Sequence, residues 1–451
     1  MNTADDPQSW TTLAQLAKGK VPDGRMRMQP YWWRAAPPLD GPWPALPARI
    51  DVLIVGAGFT GLSAALTLAR AGREVLVVDA GVPGFGASTR NGGQVGSGNQ
   101  KFRVKTLIAM KGERHAVALL KEGVAMLDHI ERLIAEENID CDFVRCGRFR
   151  GAMRPDHYEA MARDLEDLHR YTQVAFEMVS RAAQHREIGS ELFHGGSLLP
   201  LDASLDPGRY HTGLLLRVQS AGGAVRGHAA VRDITPEAGG FNVRFDDGAL
   251  TARDVLVATN GYTKAVGRFF TQRMVPVGSA QIVTGPIPAA LFRQLMPSGR
   301  VYGNTSRVFS YFRPAPGERR IIWGGRASHL HDASRPAAYA HLARDLLRAF
   351  PGLGNTLVTD GWTGQIGYTF DEFPHLGCAP NGVHYALGYC GTGVSRSTYF
   401  GRMIGLKILG HPGSETAFDN MPLPGHPLQF LSRLAVPAIE SWYRLRDRGN
   451  F

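Results

Sequence analysis

Gly56-Ala-Gly58-Phe59-Thr60-Gly61, with Asp79 lying 23 positions beyond the first glycine, is a spacing that can hold a dinucleotide. Gly56 permits a tight turn, Gly58 lets the backbone approach a pyrophosphate, and Gly61 lets a helix lie close on the preceding strand. Free N–H groups at the start of that helix meet the phosphate charge. Asp79 is placed to accept hydrogen bonds from an adenosine ribose.

A second small-residue loop, Gly84-Phe-Gly86-Ala87-Ser88-Thr-Arg90-Asn91-Gly92-Gly93-Gln94, follows at once. An NAD-binding unit has no evident use for it, whereas a longer cofactor such as FAD needs a second close backbone approach. Ala258-Thr-Asn-Gly261 closes a later apolar run. Gly388-Tyr-Cys-Gly391-Thr392-Gly393-Val394 supplies another glycine turn before a helical pattern. That helix can point its positive end at a flavin ring and favour the negative charge of the reduced ring. No Ser/His/Asp set and no paired carboxylates stand out. Cys141, Cys146, Cys378 and Cys390 show neither metal-ligand nor disulfide spacing, so no metal is expected.

The elements that must position these residues can be read from periodicity. Asp51 to Val55 and Glu74 to Asp79 are buried-strand patterns around a helix at Leu62 to Ala71, a βαβ unit. Residues 103–139 and 155–186 read as charged helices with apolar positions at three and four spacing. Asp254 to Ala258 reads as another buried strand. Alternating segments at 274–283, 308–313 and 320–324 suit an antiparallel sheet, and 383–388 followed by 394–409 reads strand, turn, helix. The expected fold class is therefore α/β: a Rossmann-like, glutathione-reductase-type FAD domain with a second antiparallel-sheet substrate domain. The expected division is an arm at 1–50, a discontinuous FAD domain at 51–100, 200–265 and 350–425, a substrate or cap domain at 101–199 and 266–349, and a C-terminal segment at 426–451. The arm carries Trp10, Trp32, Trp33 and Trp43 among many prolines and is expected to pack across the body.

A chain of 451 residues exceeds one ordinary core, which agrees with two domains around a cleft. The net charge of +10 is dispersed, without the basic runs or interleaved aromatics of a nucleic-acid binder. No stretch of 18 apolar residues occurs, and Asp5 and Asp6 stand where a signal peptide is basic. A soluble, cytoplasmic protein with no integral membrane segment is expected.

From Asp51 to Leu409 these motifs resemble the D-amino acid oxidase family of flavoproteins, in the branch that includes sarcosine oxidase, pipecolate oxidase and the gamma-glutamylputrescine oxidase group. The loop from Gly84 to Gln94 is similar to that last group. The resemblance implies that Gly56, Gly58, Gly61 and Asp79, with Phe59 and Thr60 between them, bind the ADP half of FAD. It implies that Ala87, Ser88, Arg90, Asn91, Gly92 and Gly93 line the ribityl chain and flavin, and that the backbone of Val231 contacts adenine. Gly261 closes the strand beside the cofactor, and Gly391, Thr392, Gly393 and Val394 surround the pyrimidine edge of the flavin.

Three departures from sarcosine oxidase matter. Gly364 stands where that enzyme has the cysteine bonded to its flavin, implying non-covalent FAD. Ser395 replaces the lysine that binds a substrate carboxylate, which moves the expected substrate toward an amine whose carboxylate, if any, lies farther from the reacting nitrogen. Ile322 replaces a lysine that assists oxygen, leaving oxygen and another acceptor, a quinone or protein, both open. Gln94, Tyr311, Trp323, Trp362 and Ser395 are the candidate cleft residues for a small-molecule amine, with no obligatory base. Phe312 is a further aromatic for the cleft, Arg313 and Arg326 could anchor an anionic tail, and lone His375 and thiol Cys390 read as structural. N-methyl, cyclic or D-amino acids are alternative substrates. Alternatives of other classes are an NAD-linked dehydrogenase and a non-catalytic flavin-binding module docking through the basic, aromatic segment Leu428 to Arg448.

Overall fold

The apolar run that begins at Asp51 forms strand β1 (Arg49–Val55), buried on both faces from Val52 onward. A computed structural model describes residues 10–19, 21, 25–96, 101–328 and 331–448. β1 pairs in parallel with β2 (Val75–Val78) and, on its other side, with Ala249–Val257. Ala224–Arg226 and His384–Leu387 extend the parallel sheet at its two sides. Helix α1 (Phe59–Arg70) connects β1 to β2 and starts three residues before the apolar pattern, because the extended backbone of Gly58 ends the turn there.

Gly56 has φ of +109°, and a β-carbon on it would lie 2.9 Å from the carbonyl oxygen of Ala258. A β-carbon on Gly61 would lie only 1.9 Å from the Gly56 carbonyl oxygen. Both positions exclude side chains, so strand, turn and helix can close on one another. Short α2 (Ala87–Arg90) lies in the second glycine loop, and α3 (Gly393–Ile408) runs against α1. Their contact is close because Gly401 sits over the Thr60 carbonyl, where a β-carbon would approach to 2.3 Å, and Ser63 Oγ donates to the Thr398 carbonyl at 2.6 Å.

A second sheet contains β3 (Val275–Thr284), β4 (Tyr311–Pro314), β5 (Ile321–Arg326) and β6 (Val358–Tyr368), in spatial order β6-β3-β5-β4. Its strands are antiparallel apart from Val301–Asn304 beside Arg148–Gly151. Register decides which residues can meet a ligand. Ile282, Trp323 and Phe312 are neighbours across three strands and bury in the second core, while Ser279 and Gly364 pair on the opposite face.

Several expectations need correction. Helices Val104–Lys111 and Glu113–Glu136 replace one helix at 103–139, broken at Gly112 with φ of +77°. They bury Leu107, Leu119, Met126 and Ile130 in the core of the parallel sheet, although 101–199 was allotted to the cap. The helix expected to run to residue 186 stops at Thr172, where Gln173 adopts a left-handed cap, and strand Glu177–Val179 follows. β6 lies in the second sheet, although 350–425 was allotted to the cofactor domain, because its long edge pairs with β3.

The N-terminal arm crosses both units. Leu13 and Leu16 are buried in the second core, and Trp32 is fully buried with Val283, Ile322 and Trp362. Each such apolar side chain contributes about 1.5–3 kcal/mol on burial.

Candidate active site

A cavity of about 570 Å³ runs from the glycine turn after β1 to the face of the second sheet that carries Ser279, Tyr311 and Gly364. At one end lie Gly56, Gly58, Phe59, Thr60 and Asp79, with Val231 nearby on the segment leading to the hairpin. The half-buried Asp79 carboxylate accepts from the backbone N–H groups of Ala57 and Gly81 at 2.9 and 3.1 Å. Burial raises its pKa, and those N–H groups partly oppose the shift.

Ala87, Ser88, Arg90, Asn91 and Gly92 form the middle of the wall. Ser88 Oγ accepts from the N–H of Phe59 at 3.0 Å, so the second loop is tied to the start of α1. Arg90 donates to the carbonyls of Phe85 and Thr363 at 2.6 and 2.9 Å, and its guanidinium lies over the rings of Phe85 and Trp33. This clamp fastens the loop to β6 beside Gly364.

Gly391, Thr392, Gly393, Val394 and Ser395 bring the first turn of α3 to the cavity. Arg396 follows them, and burial pushes its pKa down to about 10, which still leaves a cation at neutral pH. Helix end and guanidinium together make this side electropositive. Gln94 and Tyr311 line the remaining wall; Tyr311 Oη is 2.8 Å from Ser279 Oγ.

A family model for FAD-dependent oxidoreductases, DAO, matches residues 51–405. The chain belongs to the DAO family of FAD-dependent oxidoreductases. It is 31% identical over 408 residues to the gamma-glutamylputrescine oxidoreductase of Escherichia coli, covering 88% of this chain and 93% of that one. It is 27% identical over 406 residues to a probable oxidoreductase, OrdL, of Haemophilus influenzae, covering 88% and 92%. Among solved structures, glycine oxidase of Geobacillus kaustophilus superposes with a TM-score of 0.71 at 20% identity, over 84% of this chain and 99% of that one. L-proline dehydrogenase of P. horikoshii gives 0.65 at 18%, over 82% and 96%.

The DAO-family cavity fits its FAD on two counts. A β-carbon on Gly58 would come within 2.8 Å of Ser88 Oγ, so the glycine keeps a backbone cradle open. Phe85, Tyr262 and Phe309, all exposed, turn aromatic surface toward the cavity, as flat rings require.

Several residues singled out from sequence lie elsewhere. Trp323 stacks on Phe312 with centroids 4.2 Å apart inside the second core, because alternation along β5 turns it away from the cavity. Trp362 is on the cavity side of its sheet but is covered by Trp32 and donates to the Arg90 carbonyl at 3.0 Å. Neither is a cleft wall. Gly61, Gly93 and Gly261 serve close packing: their β-carbons would strike Gly56, Leu205 and Gly367 backbone atoms. Ile322 is buried beneath the arm with Trp32. Arg313 is buried and donates to the Gly93 and Leu205 carbonyls. Arg326 donates to Tyr368 Oη at 2.9 Å. His375, held by Asp371 at 3.0 Å, and Cys390 are buried outside the cavity wall.

Sequence reasoning missed Arg148, which lines the cavity. Its guanidinium bonds Asp202 at 2.6 Å and Gln94 Oε1 at 3.1 Å. No local motif marks it, since β-pairing across a long sequence interval brings it there. Ser279 was missed for the same reason, whereas Tyr262 follows Gly261 in the short helical turn Asn260–Ala265.

Proposed function

We propose that this DAO-family enzyme oxidises an alkyl amine of the gamma-glutamylputrescine kind in the cytoplasm, as a step in polyamine breakdown. The 31% identity to gamma-glutamylputrescine oxidoreductase carries the reading. It is supported by a neutral Ser395 in the first turn of α3 and by Arg148 on the Gln94 wall, which suit an amine whose carboxylate sits at a distance from the reacting nitrogen.

In this reading Gly56, Gly58 and the start of α1 hold the pyrophosphate of a non-covalently bound FAD, Asp79 the ribose, and the Val231 backbone the adenine. The Ala87–Gly92 loop and Gly391–Val394 hold the flavin. FAD, when bound, supplies the acceptor for a hydride from the carbon next to nitrogen. The resulting imine is hydrolysed by water. The protein's contribution is position and protonation state. Burial raises the Tyr311 pKa, so its phenol keeps its proton and can orient the substrate with Ser279. Gln94, fixed by Arg148, presents a side-chain amide to the same space. Oxygen or another acceptor then takes the electrons.

The test is turnover of purified enzyme with gamma-glutamylputrescine, putrescine, sarcosine, pipecolate and D-alanine, with reduction of an added electron-accepting dye as the common readout and peroxide formation in air as the readout for oxygen. The gamma-glutamylated amine is expected to give the highest kcat/KM. A higher value for sarcosine, pipecolate or D-alanine would replace this substrate class.

A further inference from the structure

The C-terminal helix α4 (Ser432–Arg448) presents its apolar side to solvent and its acidic side chains to its own protein. Val436 packs against the Val277 and Tyr368 cluster, buried Glu440 lies 3.6 Å from Arg326, and Asp447 accepts from the N–H groups of Arg307 and Val308 at 3.2 and 3.1 Å. With about 100° per residue, positions 436, 440 and 447 share one face. The opposite face carries Leu434, Ala438, Ile439, Trp442 and Leu445, with Leu431 just before the helix, all exposed. Leu434 is 74% exposed, Trp442 56% and Leu445 60%. A contiguous apolar stripe of this kind on a soluble protein marks an interaction site.

Charge selects the partner. The helix sequence contains Arg433, Arg444, Arg446 and Arg448 against only Glu440 and Asp447; Glu440 is buried beside Arg326, and Asp447 is engaged by the N–H groups of Arg307 and Val308. Exposed Arg433 adjoins Leu434 of the stripe in sequence, and Arg446 borders a recess in which Arg307 is paired with Asp447, Arg154 with Asp156 and Arg348 with Asp345. A second copy docked across a two-fold axis would set the like charges of two net-basic segments against one another. Anionic headgroups would complement them while acyl chains take the leucines and Trp442. Among the described residues no helix is long and apolar enough to cross a membrane, so the contact is peripheral.

We propose that α4 docks the enzyme in the plane of a bilayer surface bearing anionic lipid. The inference stands on α4 alone and does not depend on the substrate. The cavity wall then lies near the bilayer, because Val436 packs in the same cluster as Ile366, which lines the cavity.

Co-sedimentation of the full-length holoenzyme with lipid vesicles tests it. Phosphatidylcholine vesicles with roughly one-third phosphatidylglycerol are expected to bind at least tenfold more enzyme than phosphatidylcholine alone. Binding should weaken as salt rises from about 0.1 to about 0.5 M. The double variant Leu434→Glu, Leu445→Glu is expected to lose at least tenfold in binding while keeping its flavin and its turnover in solution, which separates docking from folding. Absence of binding to anionic vesicles, or equal binding by the variant, overturns the proposal. So does a dimer in lipid-free solution, seen by light scattering, that the double variant dissolves.

Discussion

Trp32 of the N-terminal arm donates its indole N–H to the carbonyl of Asn91 at 2.8 Å, and the next residue, Trp33, donates to Thr89 Oγ1 at the same distance. The arm therefore supports the loop that lines the middle of the cavity. Trp32→Phe keeps most of the apolar contact but leaves the Asn91 carbonyl unpaired, at a cost of about 1–3 kcal/mol. FAD affinity is expected to fall roughly tenfold, with the substrate KM of the reconstituted enzyme unchanged; fluorescence titration of apoprotein with FAD checks it.

Gly58→Ala tests the phosphate cradle. Its β-carbon would displace Ser88 Oγ, which lies 2.8 Å away and holds the Phe59 N–H. The variant should fold, losing only about 1 kcal/mol in denaturant titration, yet purify with less than about a tenth of the normal flavin. Gly61→Ala should instead fail to fold, because its β-carbon meets the Gly56 carbonyl oxygen at 1.9 Å.

His211, fully buried, makes a 2.7 Å hydrogen bond between Nε2 and the Ala57 carbonyl under the glycine turn. Burial pushes its pKa down from 6.5 to about 4. The unfolded chain binds this proton more readily, so the group's stabilisation is complete above about pH 6.5 and is lost as pH falls toward 4. The loss at this site is on the order of 3 kcal/mol. The melting temperature should drop over that interval with release of flavin, and His211→Asn should flatten the drop; differential scanning fluorimetry across pH reads both.

Arg148→Lys keeps a positive charge for buried Asp202 but loses the planar fork that also reaches Gln94. KM for an amine bearing a distant carboxylate should rise about tenfold, while KM for putrescine and the flavin spectrum stay as they are. Equal effects on both amines would assign Arg148 to support of Gln94 alone.

The βαβ unit was legible because its signals are local: one glycine turn between two apolar runs places Gly56, Gly58 and Asp79 without reference to distant residues. The substrate side was less so. Tyr311 lines the cavity while Trp323, equally aromatic, does not; alternation and strand register make that choice, and sequence period alone leaves the inward face open. Arg148 reaches the cavity from a strand paired with residues 301–304, which no spacing rule anticipates. The basic, aromatic end of the chain was noticed, but that its helix turns Glu440 inward and Leu434 outward depends on packing against β3 and β6.

The central claim is that the cavity holds FAD for the oxidation of an extended amine. Anaerobic mixing of the yellow holoenzyme with gamma-glutamylputrescine, followed in the visible flavin band, tests it most directly. Full bleaching is predicted, faster than with sarcosine, glycine or D-alanine at equal concentration. Flavin that stays oxidised with every amine, or that sarcosine, glycine or D-alanine bleaches faster, would contradict it.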